Sequence, residues 1–157
     1  MGPSSAGNLP SMAHLEDLEN GLSYDLWANK AWLECLQSKG APPEDLAILG
    51  HILSAQTIWL LRCQGESLDR LPVVEPTVET MTEISERWLK HIKNHPDDII
   101  HFHRTTGEAH SASMHEILLH VINHGTYHRG ELRGLCLARG DENFPETDRM
   151  KFMLGIR

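Results

Sequence analysis

Four stretches of this sequence repeat apolar residues at three- and four-residue steps, and each is closed by glycine or proline. That pattern narrows the available folds more than any other feature. In the first stretch, Met12 to roughly Gln37, Leu15, Leu18, Leu22, Leu26, Leu33 and Leu36 recur at three-, four- and seven-residue intervals, and Gly40 with Pro42 ends the run. The second spans Pro43 to Cys63, with Pro43 and Glu44 in its first turn. The third, Val78 to Asn94, places Met81, Ile84 and Trp88 on one face. His95-Pro96 closes it, because a proline pushes the preceding residue out of helical backbone. The fourth runs from Met114 to about Arg139 and stops at Gly140. A short final helix is expected around Asp148 to Leu154. Asp98 to Ser113 is β-branched around Thr106-Gly107 and reads as a small hairpin.

Four long amphipathic helices in 157 residues predict one all-α domain, a four-helix bundle with a hairpin-like insertion between helices 3 and 4. The domain is assigned to residues 12–157, and residues 1–11, small and polar, to a disordered or vector-derived leader. The break near Gly40 is short, so helices 1 and 2 are expected as antiparallel neighbours. From Cys63 to Val78 the linker spans roughly 50 Å at about 3.3 Å per residue. A 20-residue helix is only about 30 Å long. Helix 3 can therefore run parallel to helix 2, which predicts an up-down-down-up order.

Charge and cysteine usage exclude several functions. Lys and Arg number 14 against 22 Asp and Glu, for a net charge of −8, whereas nucleic acids and anionic membranes need clustered cations. No apolar run approaches 18 residues, and the opening lacks the basic and apolar regions of a secretory signal. Cys35, Cys63 and Cys136 are scattered and odd in number, the pattern of reduced thiols in a cytoplasmic protein. Histidine is the excess: 11 residues, about 7% of the chain, whose protonation would carry the charge from −8 to +3.

The histidines of helix 4 are distributed with a purpose that a wheel reveals. With His124 at zero, Ile117 and Leu135 lie at about +20°, His128 at about +40°, Val121 at about +60°, His120 at about −40° and Glu131 at about −20°. Three imidazoles thus share the stripe that should face the core. Residues four apart hold their Cβ atoms about 5–6 Å from each other, close enough for two imidazoles to bind one ion. His115, at about 180°, reads as a solvated bystander. His51 is the one histidine expected within helix 2, with Ala47, Ala55 and Ile58 above and below it on one face. Two readings compete. Buried imidazoles can simply be hydrogen-bonded core residues, or His51, His124 and His128 can form a metal site. Other motifs fail on spacing. His115-Glu116 to His120 is one residue too long for a zinc-protease motif, and no Glu precedes a His by three as a di-iron site requires. His101, His103 and His110 read as solvated hairpin residues, and His91 and His95 as partners of a helix dipole. The four tryptophans, at helical spacing, read as core or dimer packing.

Three sets of residues also carry a family resemblance. They are Tyr24-x-x-Trp27-Ala28-Asn29; His51-Ile-Leu-x-Ala55 with Trp59 and Arg62; and His120-Val-x-Asn-His124-x-x-x-His128-Arg129-Gly130. Together with Pro145-x-x-Asp148, they resemble the DinB-like (DinB/YfiT) family of four-helix-bundle proteins from about His14 to Met153. The resemblance implies an up-down-down-up bundle and a homodimer. It also implies a divalent metal, zinc first and nickel, manganese or iron otherwise, held by His51, His124 and His128. At Glu131 the family typically carries Gln, so a carboxylate here could join the metal or orient a ligand.

Three neutral imidazoles leave a coordination position open, as catalytic sites do. Family members with known activities resemble thiol-cofactor S-transferases and related isomerases. The expectation is therefore a metal-dependent enzyme that activates a low-molecular-weight thiol against a small-molecule electrophile. Glu131 and His120 are the candidates for positioning and proton handling. A metal-dependent hydrolase and a non-catalytic metal-binding stress protein are the alternatives.

Overall fold

The computed structural model describes residues 12–156 apart from Thr105; the leader assigned to residues 1–11 lies outside them. Among the described residues the chain is mostly helical. Helix α1 covers Met12–Ser38, α2 Pro43–Cys63, α3 Val78–Asn94, α4 Met114–Ala138 and the short α5 Arg149–Met153. Strands β1 (Ile99–His103) and β2 (Ala109–Ser113) form the expected hairpin before α4.

Each helix end has a local cause. At the end of α1, Gly40 adopts φ +59°, which lets the Ala41 N–H reach back to the Leu36 carbonyl at 2.9 Å. Pro42 and Pro43 then start α2, where a missing N–H costs nothing. Thr77 caps α3 by accepting the Thr80 N–H. Ser113 and Glu116 form a reciprocal capping box at the start of α4, each side chain accepting the other residue's N–H. The hairpin pairs Ile99 with Ser113 and His103 with Ala109 in antiparallel register. Its turn passes through Gly107 at φ +88°.

The long helices share one contiguous core. Leu22, Trp32 and Leu36 of α1 meet Leu49, Ile52, Leu53 and Leu60 of α2, Met81, Ile84, Trp88 and Ile92 of α3, and Ile117, Leu118, Val121 and Leu132 of α4. Burying each such side chain contributes about 1.5–3 kcal/mol. Helix α1 packs mainly on α3 and α4, and α2 mainly on α4. The seam between α1 and α2 is narrower than their short connection suggests. A short turn brings two helix ends together but leaves open which flank the second helix follows. By length and composition α2 could cross a membrane, yet half of its most apolar window is buried inside the fold. Its apolar run is the core.

The segment after α4 closes one flank. The Tyr24 hydroxyl donates to the Thr147 carbonyl, and the Trp32 indole donates to the Thr147 hydroxyl. Phe144 stacks on Trp32 with centroids 6.2 Å apart.

Candidate metal centre

Helix α2 carries His51 in its middle turns, and α4 carries His124 and His128 one turn apart. The linker after α2 folds back along it closely: a Cβ at Gly50 would sit 3.2 Å from the Val74 carbonyl oxygen. A larger residue at position 50 would push this strap away beside His51. Where α2 and α4 face each other, His51, His124 and His128 each offer a ligand atom, all within 4.8 Å of one another. Ring centroids are 5.0 Å apart for His51–His124, 4.6 Å for His51–His128 and 4.5 Å for His124–His128. All three rings are half-buried.

The electrostatics suit cation binding. Desolvation pushes the His124 imidazolium down to about 4, and the neighbouring His128, His51 and His120 add to the effect. Desolvation, then His128, also lowers the His51 value, while Glu131 opposes the shift. These rings are therefore neutral at pH 7, with free lone pairs. The Nδ1 atom of His124 is buried and lacks a hydrogen-bond partner, a cost of about 1–3 kcal/mol that a hydrogen bond or an ion would remove. Three imidazoles with an orphaned nitrogen among them fit a borderline divalent cation such as zinc.

Glu131 does not join this triad. Its Oε2 lies 2.8 Å from His128 Nδ1. A carboxylate only accepts, so Nδ1 carries the proton and Nε2 is left as the donor atom. This is the carboxylate–histidine arrangement that orients metal ligands. His120, expected on the core stripe, is instead exposed. It stands one turn from the triad, its ring 6.0 Å from His124 and 5.5 Å from Trp59. An ideal wheel places it at the edge of the stripe, and the packing of α2 on α4 decides that this edge meets solvent.

A layer below the histidines escapes sequence reasoning. Arg129, next to His128, is buried and bonds Asp25 Oδ1 at 2.8 Å and Asn29 Oδ1 at 2.7 Å. Asp25 also accepts from the Asn29 and Gln56 amides. This network joins α1, α2 and α4 directly beneath the site. Gly125 gives it room, since a Cβ there would come within 2.5 Å of Asp25 Oδ1 and 2.9 Å of Arg129 Nη1. The signal was present in the charged and amide residues at 25, 29 and 129, but nothing in one sequence pairs residues a hundred positions apart.

Several histidines differ from expectation. His91 is buried, stacked on His95 at 4.7 Å with its Nε2 unpartnered, and so is not a surface partner of the helix dipole. His115 is half-buried with an orphaned Nδ1 and touches the His14 ring, so it is no solvated bystander. His101, His103 and His110 are exposed, as expected. Ala47, placed by the sequence on one face with His51, is exposed. Trp32 and Trp88 are core residues, whereas Trp59 is partly exposed at the wall of a cleft.

The fold is predominantly helical, and its three facing histidines could hold a metal ion. The sequence model of the DinB family matches residues 46–145, which include the whole triad, Glu131 and the hairpin. The chain belongs to the DinB family. No curated protein matches it.

Proposed function

We propose that this chain is a metal-dependent enzyme that binds one divalent cation through His51, His124 and His128 and transfers a small thiol to an electrophilic substrate. The observation that carries this reading is the convergence of three imidazoles from two helices, with no fourth side chain in the group among the described residues. A divalent ion held by these three residues would supply a Lewis acid able to lower the pKa of a thiol or a water molecule. Glu131 fixes the His128 ring through Nδ1. His120, exposed one turn away, would be the residue that handles the proton in this reading. Two of the chain's cysteines are poor nucleophiles, and the third, Cys136, is buried. Burial pushes the Cys63 thiol up to about 12 and raises that of Cys35, and Cys63 lies about 18 Å along α2 from His51. The reacting thiol is therefore an external small molecule, as expected for a homodimeric enzyme of a reducing cytoplasm.

We also read the long helices as an up-down-down-up bundle. Asp25 meets Arg129 and His14 meets His115, which supports parallel α1 and α4. His51 meets His128 and Trp59 meets His120, which supports antiparallel α2 and α4. Gln56 meets Trp88, and Cys63 lines one cavity with His91, which supports parallel α2 and α3.

The test has two parts. Purified protein should carry about one divalent metal per chain by elemental analysis, and His124→Ala should lose it; full metal content in that variant refutes the site. Metal-loaded protein should consume a small thiol with an alkylating probe faster than chelated protein. Equal rates, with metal accelerating ester hydrolysis instead, would favour water as the nucleophile. No metal-dependent rate at all would leave an ion that only ties α2 to α4.

A further inference from the structure

One turn from the triad, α2, α4 and the hairpin enclose a cleft of about 480 Å³ walled by Trp59, Arg62, Phe102, Arg104, His110 and His120, within the usual range for small-ligand sites. Its walls are aromatic. Phe102 meets Trp59 edge-on with centroids 5.0 Å apart, and His110, paired with Phe102 across the hairpin, lies 6.0 Å from it. Its charge is positive. Arg62 sits 4.6 Å over the Trp59 ring and has no carboxylate partner among the described residues. Arg104 has only an exposed contact to Glu108 at 3.9 Å, which is worth little. The carboxylate within the cleft, Glu116, is already engaged by the Ser113 N–H.

We infer that this cleft binds a small aromatic carboxylate, its ring against the Trp59–Phe102 wall and its carboxylate on Arg62 and Arg104. Guanidinium groups present a planar fork that matches a carboxylate, and the aromatic wall supplies apolar area with few rotatable bonds. His120 lines the cleft and stands 6.0 Å from His124, so a bound molecule has its far end toward the triad. That it is the electrophilic substrate rests on the function proposed above; the binding itself does not. The hairpin is then the specificity element, contributing Phe102, Arg104 and His110.

Calorimetric titration of the full chain with 2-naphthoate and with the neutral 2-naphthamide tests this, as purified and again with EDTA present. Naphthoate should bind at least tenfold tighter than the amide in both conditions. Arg62→Gln and Arg104→Gln should each erode that preference, and Trp59→Leu should weaken both ligands. Circular dichroism and metal content should be unchanged in all three variants. Equal binding of acid and amide, or a full preference in both arginine variants, overturns the assignment. A preference that vanishes with EDTA overturns it too, because the carboxylate would then be binding the ion. Full metal content in His124→Ala would sink the metal reading and leave this one standing, whereas loss of the acid preference in a folded, metal-free His124→Ala protein would overturn this one alone.

Discussion

At His128 one ring meets two sets of partners: Nδ1 lies 2.8 Å from the Glu131 carboxylate, and the ring centroid lies 4.6 Å from that of His51 and 4.5 Å from that of His124. Orientation by a carboxylate fixes the tautomer and raises ligand basicity, and its loss usually costs 10–100-fold in metal affinity. Glu131→Gln should therefore weaken metal binding by about that factor with the fold intact, measured by competition with a chelating dye. An unchanged affinity would show that Glu131 orients nothing. The residue following His128 supports a second prediction. Arg129 and Asp25 are a buried pair, 3% exposed each as residues. Removing one partner of such a pair leaves an uncompensated charge and costs about 3–5 kcal/mol. Asp25→Asn should lower the unfolding free energy by that order in urea titration, with Asn29 and Thr126 left as poorer partners for Arg129. The identity of His124 and His128 was legible from their places on one stripe. The role of Arg129 was not, because a wheel puts a residue on a face without saying that an acid from another helix awaits it.

Among the elements, α4 owes its start to Ser113. Its side chain accepts the Glu116 N–H at 3.2 Å while Glu116 accepts the Ser113 N–H at 3.2 Å. Ser113→Ala should cost about 1 kcal/mol, read as a shift in the urea midpoint with an unchanged slope. The same change should loosen Glu116 at the floor of the aromatic cleft. Boundaries of α2 and α3 agree with the sequence reading because prolines and N-cap residues act within a few positions. The hairpin was legible for the same reason: Thr106-Gly107 sits between two β-branched or alternating runs. What these strands face was not legible. Ile100 is buried and Phe102 half-buried, while His101 and His103 between and beyond them are exposed, an alternation that needs the sheet's orientation on the helices.

For the molecule as a whole, buried neutral histidines set the response to acid. His124, His51 and His91 all have folded values lowered by desolvation. The unfolded chain then binds more protons below the ordinary histidine value of about 6.5. Their contribution to stability is complete above that pH and is lost as pH falls toward about 4, where His124 itself protonates in the folded state. Chelator-treated protein should melt at a lower temperature at pH 5 than at pH 7.5, and His124→Leu should flatten that difference. Metal should raise the melting temperature at neutral pH, by about 2.7 kcal/mol in stability at one hundred times Kd. The gain should shrink in acid as protons compete for the same nitrogens.

The amino-acid sequence by itself determined the number, length and ends of the helices, the hairpin between α3 and α4, and the stripe that holds His124 and His128. These depend on interactions within a few residues: backbone periodicity, caps, and the special conformations of glycine and proline. Only the tertiary structure decided that α1 packs mainly on α3 and α4 and that His51 meets the α4 pair. The same packing leaves His120 at a solvent edge, buries His91, and places Trp59, Arg62 and Phe102 around one cleft. Those outcomes follow from which helix flanks exclude water together, and a flank is chosen by the whole core at once.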